Sequence, residues 1–341
     1  MKRVLVVDDS PFIRRMISDW VVSNPDFEVV GACADGVEAV AAAKDLKPDV
    51  VTLDIEMPKM DGIEALRQIM AEAPTNVLMV SSTTTEGAAM TLKALEMGAV
   101  DFIAKPQSGP SLSFVEAKDE LIAKVVAVAE AKRHTPAAPQ KCALGAKTSD
   151  RVVLVACSTG GPSALAQVWQ SLPKGFPSPI LVVQHMPAGF TKGLAKRLDS
   201  FGTVPCEEAS DAVCPEPGRA LLAPGGRHMT VTPEGAIALD DRPLFNGVRP
   251  SADYLFESAA RVFGGRIVAA VLTGMGKDGA DGALKVKQTG GTVLAESEET
   301  ATIYGMPRAA KESGAVDQEV RIEAMAAAIT DRVGEGEERA A

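Results

Sequence analysis

The chain has 341 residues, a length that predicts two domains at roughly 100 to 200 residues each. Hydrophobic residues make up 46% and charged residues 23%, the balance of a protein with a sizeable core, which excludes disordered and collagen-like classes. Acidic residues number 45 against 35 basic ones; the formal charge of -10 repels phosphate backbones, and no nucleic acid is expected as a partner. The five cysteines (Cys33, Cys142, Cys157, Cys206, Cys214) are scattered without a C-x-x-C pair. They suit a reducing compartment and provide neither a disulfide framework nor a zinc site. Val4-Leu5-Val6-Val7 runs straight into Asp8-Asp9, too short for a secretory signal, and no run of about 20 apolar residues could span a membrane. A cytoplasmic, monomeric protein without membrane insertion is expected.

In chain order, short apolar runs at residues 4–7, 27–32, 50–53, 77–80 and 100–103 alternate with amphipathic stretches such as 63–70 and 88–97. Five strands alternating with helices predict a doubly wound parallel sheet over residues 1–130. Residues 131–149 contain a stretch rich in Pro, Ala and Lys without apolar periodicity and read as a linker. The alternation restarts at 152–156, 180–183, 267–272 and 292–295, each run followed by a helical stretch. A second α/β domain with a parallel sheet is predicted over 150–335. Within it, 229–232 and 236–239 alternate as an antiparallel hairpin expected at the sheet edge. The charged tail 335–341 is expected to fray.

Acidic residues close the predicted strands of the first half: Asp8 and Asp9 after the first, Asp54 after the third. In a parallel α/β sheet the carboxyl ends of the strands share one edge, where ligands bind. Three carboxylates there repel one another unless a cation neutralises them, and hard oxygen donors suit Mg²⁺. Lys105 follows the fifth strand and reaches the same edge, and Ser81 closes the fourth. Any one of these residues could simply cap a turn or helix. Five together, spread over four strand ends, favour a pocket that takes a metal and a phosphate.

The first half resembles the receiver domains of two-component response regulators. The resemblance rests on Val7-Asp8-Asp9-Ser10, on Asp54 followed by Met57-Pro58-Lys59-Met60-Asp61-Gly62, and on Ala104-Lys105-Pro106. It implies a flavodoxin-like fold with Asp54 as phosphoacceptor. It also implies Mg²⁺ held by Asp8, Asp9, Asp54 and the main-chain carbonyl of Glu56. Ser81 and Phe102 take the family's hydroxyl and aromatic switch positions, with Lys105 beside the phosphoryl group.

In the second half, the strand at 152–156 runs into Cys157-Ser158-Thr159-Gly160-Gly161-Pro162, with proline where a helix opens. Ser158 then stands at a helix N-terminus, where free N–H groups favour a developing oxyanion. The segment alone reads equally well as a phosphate-binding or structural glycine turn, and the serine needs a base. Of the three histidines, His134 lies in the linker and His228 in a turn. His185 ends a strand on the edge of Ser158 and is the better base. Leu272-Thr273-Gly274-Met275-Gly276-Lys277-Asp278 puts a carboxylate, Asp278, on that edge to fix the imidazole. The N–H groups of Thr159 and Met275 could form the oxyanion hole. A rival reading takes Gly274, Gly276 and Gly279 as a dinucleotide-binding fingerprint with Glu296 on the ribose. It would put Asp278 beside a pyrophosphate and leave Ser158 and His185 without roles.

This half resembles the catalytic domain of the chemotaxis response regulator protein-glutamate methylesterases. The supporting segments are Ser158-Thr159-Gly160-Gly161-Pro162, Gln184-His185-Met186-Pro187, Ala223 to Met229, Arg249-Pro250-Ser251-Ala252-Asp253 and Gly305-Met306-Pro307-Arg308. Cys157 departs from the family's usual alanine; a small side chain remains. The resemblance implies hydrolysis of glutamate γ-methyl esters and deamidation of specific glutamines on cytoplasmic helices of methyl-accepting chemotaxis receptors. It implies a chemotaxis histidine kinase as phosphodonor and no cofactor in the esterase site. The alternative is a response regulator whose output domain only binds a partner or a dinucleotide.

Overall fold

Uninterrupted apolar runs are what a strand buried on both faces requires, and they set the architecture. The computed structural model describes residues 1–82, 84–105, 112–132 and 149–334. Residues 133–148 of the expected linker, with His134, lie outside the described residues, as do Pro106 and the tail 335–341. The chain divides into two compact units, Met1–Arg133 and His134–Ala341.

The first unit alternates β1 (Lys2–Val7), α1 (Pro11–Val22), β2 (Phe27–Cys33), α2 (Gly36–Leu46), β3 (Val50–Asp54), α3 (Gly62–Glu72), β4 (Asn76–Ser81), α4 (Thr85–Glu96), β5 (Asp101–Ala104) and α5 (Leu112–Glu130). The strands pair in parallel in the order β2-β1-β3-β4-β5, so the chain reverses direction between β1 and β3. Ser10 caps α1 by accepting the Ile13 N–H, and Pro11 opens the first turn. The α1 residues Met16, Ile17, Trp20 and Val21 form one stripe, packed with Leu121, Val125 and Val128 of α5 against Val4, Val6, Val50 and Leu78. Each large aliphatic side chain buried there contributes about 1.5–3 kcal/mol.

The second unit runs β6 (Val152–Cys157), α6 (Gly161–Ser171), β7 (Ile180–Gln184), α7 (Thr191–Asp199), β8 (Cys206–Glu208), β9 (Ala220–Leu222), β10 (His228–Val231), β11 (Ile237–Asp240), α8 (Ala252–Phe263), β12 (Ile267–Val271), α9 (Ala280–Gln288), β13 (Thr292–Glu296), α10 (Met306–Glu312), β14 (Gln318–Val320) and α11 (Ile322–Gly334). Seven strands form a parallel sheet in the order β14-β13-β12-β6-β7-β9-β8. From β6 the chain winds outward through β7, then returns to β12 on the other side, so β6 and β12 flank the reversal. The hairpin does not extend the sheet edge as expected: β10 and β11 pair only with each other. Their Met229, Val231 and Ile237 belong to the core cluster that includes Leu255 and Phe256 of α8, so burial against that core, rather than edge pairing, satisfies them. Among the described residues no helix is long and apolar enough to cross a membrane.

Candidate functional site

In the first unit the reversal between β1 and β3 brings Asp8, Asp9 and Asp54 together, each offering a carboxylate oxygen within 4.8 Å of the others. Lys105 Nζ lies 2.7 Å from Asp54 Oδ2 and 3.3 Å from Asp8 Oδ2. Its backbone N–H donates to the Ser81 carbonyl at 2.7 Å, which pins β5 to β4 at the pocket. One cation facing three carboxylates leaves an excess of negative charge. Burial pushes the Asp54 carboxyl up to about 6 despite Lys105, and burial likewise raises Asp8. Lys105 is raised too: its contacts with Asp54 and Asp8 outweigh the burial that would lower it. Asp8 Oδ1 accepts the Ser10 N–H, whereas buried Asp8 Oδ2 has only the longer 3.3 Å ion pair with Lys105, which also serves Asp54. Three carboxylates sharing one lysine make an oxygen-only, under-neutralised set that fits a hard divalent cation. The Glu56 side chain is exposed and accepts from Ser82 Oγ at 3.0 Å, and its backbone N–H faces Asp54 Oδ1 at 3.4 Å.

Two of the expected switch residues have contacts of their own. The Ser81 hydroxyl accepts from Thr91 Oγ1 at 2.7 Å and faces the Gly87 carbonyl, so it is bound to α4. Phe102 is buried, with Lys124 Nζ 5.3 Å from its ring centre. An ion pair the sequence did not signal, Lys59 Nζ to the buried Asp35 carboxylate at 2.5 Å, ties the loop after β3 to the N-cap of α2.

In the second unit the ends of β7, β6 and β12 lie side by side and carry His185, Ser158 and the loop to Asp278. The His185 N–H donates to the Cys157 carbonyl at 3.0 Å, and the Ser158 N–H to the Thr273 carbonyl at 2.9 Å. Gln184 bridges the neighbours: its Nε2 donates to the Ser158 and His185 carbonyls at 2.9 and 3.1 Å, while Cys157 Sγ donates to its Oε1. Close approach explains two glycines. A Cβ at Gly161 would collide with Gln184 Oε1, and one at Gly274 would stand 2.8 Å from Ser158 Cβ.

His185 Nε2 meets Asp278 Oδ2 at 2.8 Å. Asp278 also receives Ser251 Oγ at 2.6 Å on Oδ1, the Ala252 N–H at 2.6 Å on Oδ2 and the Asp253 N–H at 3.4 Å. Burial would raise this carboxyl, but the donors outweigh it, His185 first, and hold Asp278 below the usual range. Thr159 is buried, and its carbonyl accepts Thr273 Oγ1 at 2.9 Å, clamping the two loops together. Met275 follows Gly274 directly and is 41% exposed, so the loop that presents its N–H opens to solvent.

The dinucleotide reading fails on Glu296. This carboxyl is buried and accepts the Thr273 N–H at 2.8 Å and Thr300 Oγ1 at 3.1 Å, so it braces the serine-site loop instead of facing a ribose. Sequence reasoning also left Gln184, Ser251 and Asp253 without roles, because their partners are distant in the chain. The one available signal was their place in the Gln184-His185-Met186-Pro187 and Arg249-Pro250-Ser251-Ala252-Asp253 segments.

Both halves of the chain match known families. Residues 153–329 match the family described as CheB methylesterase, and residues 4–113 match the response regulator receiver domain. A protein-glutamate methylesterase/protein-glutamine glutaminase of Symbiobacterium thermophilum is 46% identical over 98% of this chain and 98% of that one. A protein of the same name from Thermotoga maritima is 47% identical over 92% of this chain and 94% of its own. The crystal structure of the Thermotoga maritima CheB methylesterase catalytic domain superposes with a TM-score of 0.52 at 42% identity, covering 53% of this chain and 97% of that one.

Proposed function

The chain belongs to the CheB methylesterase family and carries a receiver domain N-terminal to the esterase unit, and we propose that Ser158, His185 and Asp278 perform its protein-glutamate methylesterase reaction. The observation that carries this reading is the His185–Asp278 pair at 2.8 Å, on strand ends adjoining Ser158. Asp278 occupies Nε2 of the imidazole, which leaves Nδ1 to take the serine proton. Ser158 Oγ attacks the γ-carbonyl of the glutamate methyl ester, and His185 accepts its proton. The N–H groups of Thr159 and Met275 stabilise the tetrahedral oxyanion. His185 then returns the proton to the departing oxygen, releasing methanol and leaving an acyl-Ser158. Water, deprotonated by His185, attacks that ester; the new carboxyl is glutamate and Ser158 regains its proton. With glutamine the leaving group is ammonia. The same groups serve both substrates, and no cofactor is needed in this site.

The receiver pocket adds control. Asp54 takes a phosphoryl group from a chemotaxis histidine kinase, with Asp8, Asp9, Asp54 and the Glu56 carbonyl holding Mg²⁺, which offsets phosphate charge when bound. The phosphoryl group adds about -1.5 to -2 of charge beside Lys105 and gives Ser81 an acceptor to turn toward, away from α4. Phe102 rearranges with it. The substrate is a methyl-accepting receptor helix, and the enzyme works as a cytoplasmic monomer. The test is methanol release from methylated receptor by the full-length protein, with and without a small phosphodonor and Mg²⁺. Phosphodonor should raise the rate about 5- to 150-fold. Ser158→Ala should abolish release, and Asp54→Asn should abolish the stimulation. Release that survives Ser158→Ala would refute the assignment of the nucleophile.

A further inference from the structure

Ser251 stands at the N-cap of α8, where a serine ordinarily accepts an N–H from its own first turn. It makes no such bond. Its hydroxyl instead donates to Asp278 Oδ1 at 2.6 Å, and the Asp278 carboxylate itself accepts the α8 N–H groups of Ala252 and Asp253. The helix cap has been exchanged: Asp278, from another loop, serves α8, and Ser251 serves Asp278. Asp253 returns the exchange by accepting the Gly282 N–H of α9 at 2.7 Å.

Ser251 is itself held. Its backbone N–H donates to His228 Nδ1 at 3.2 Å, and His228 Nε2 donates to the Pro243 carbonyl at 3.1 Å. Those two bonds require the neutral imidazole with its proton on Nε2. Tyr254 meets the ring edge-on with centroids 4.7 Å apart, and both His228 and Ser251 are fully buried. His228 touches no reacting group, yet it lies at the far end of a continuous chain through Ser251 and Asp278 to His185.

We propose that Ser251 and His228 are positioning residues for the esterase reaction. His228 fixes the Ser251 backbone, and Ser251 Oγ locks the Asp278 carboxylate in the rotation that presents Oδ2 to His185. Oδ2 takes His185 and the Ala252 N–H, while on Oδ1 the Ser251 hydroxyl at 2.6 Å is the short bond beside the Asp253 N–H at 3.4 Å. Loss of the Ser251 hydroxyl leaves Oδ1 weakly held, loosens rotation about the side chain and misaims the imidazole. This inference rests on the assignment of Asp278 as the orienting carboxylate.

The test uses the full-length protein and methylated receptor, with kcat and KM measured for each variant. Ser251→Ala should lower kcat about 10-fold, the effect of one hydrogen bond to a charged group, with KM within about twofold. In an Asp278→Asn background the same substitution should add less than about twofold, because Ser251 acts through Asp278. An equal loss in both backgrounds, or an unchanged kcat in the first, overturns the proposal. Near-normal turnover by Asp278→Asn alone would instead overturn the triad reading on which it rests. His228→Asn and His228→Gln give a second, independent arm. The asparagine amide oxygen can replace Nδ1 as acceptor for Ser251, whereas glutamine replaces only the Nε2 donor. Higher kcat in His228→Asn than in His228→Gln is expected; equal losses would reduce His228 to a packing residue.

Discussion

The two units put their chemistry at the same place in the same kind of sheet, where strand order reverses, between β1 and β3 in one and between β6 and β12 in the other. They treat their carboxylates in opposite ways. In the receiver, Asp54 and Asp8 are buried and share the single Lys105 ammonium, and both carboxyls are pushed up. In the esterase, Asp278 is equally buried but has four donors and is held down. Topology delivers strand ends to one edge; the ratio of donors to charge then decides what the edge can do. On the proposed reading, an under-neutralised pocket would draw in a cation and a phosphoryl group. A donor-saturated carboxylate stays fixed as an anion and orients a histidine.

The same Asp→Asn change should therefore have different consequences at the two sites. At Asp278 an amide would present N–H groups to donors and upset the histidine tautomer, and kcat should fall about 10⁴-fold. A loss below tenfold in methanol release would break the comparison. At Asp54, the carboxyl's folded value of about 6 stands above its ordinary 3.8, so its contribution to stability is complete below pH 3.8 and lost as pH rises through 6. Asp54→Asn should then stabilise the metal-free receiver at pH 7 by on the order of 3 kcal/mol, with the gain fading toward pH 4. Amide hydrogen exchange in β1 and β3 of the full chain reads this directly. A destabilised variant at pH 7 would contradict it.

Mg²⁺ should relieve the same strain in the wild type. At 100 times its Kd it should stabilise the receiver by about 2.7 kcal/mol, and Asp8→Asn should lose most of that gain. The exchange of the same strands, with and without the ion, is the measurement. The smallest effect is expected at Cys157, beside the serine. Its buried thiol, pushed well up by burial, donates only to Gln184 and the Val183 carbonyl. Cys157→Ala should cost about 1 kcal/mol in thermal or chemical unfolding and change kcat less than twofold. Inactivation of the native enzyme by a thiol reagent that is abolished in this variant would give the cysteine a larger part.

The sequence by itself determined the long buried strands and the residues that terminate them. Runs such as Val152 to Cys157 are apolar on both faces, so they can only be central parallel strands. Asp8, Asp54, Lys105, Ser158 and His185 follow such runs directly, and Asp278 follows within one glycine loop, so their shared edges were legible. The three-residue strands β8, β9 and β14 were not, because three residues carry no period. Only the tertiary structure decided that the hairpin packs on α8 instead of the sheet edge. It also turned the Ser81 hydroxyl to Thr91 and gave Glu296 to Thr273, 23 residues away. Ser251 and His228 reach Asp278 across 27 and, through Ser251, 23 residues of chain. Local pattern fixes where a strand ends, since burial acts on neighbouring residues. Which donor meets which carboxylate depends on helices packed from distant segments, and the charge state of each aspartate follows from that packing.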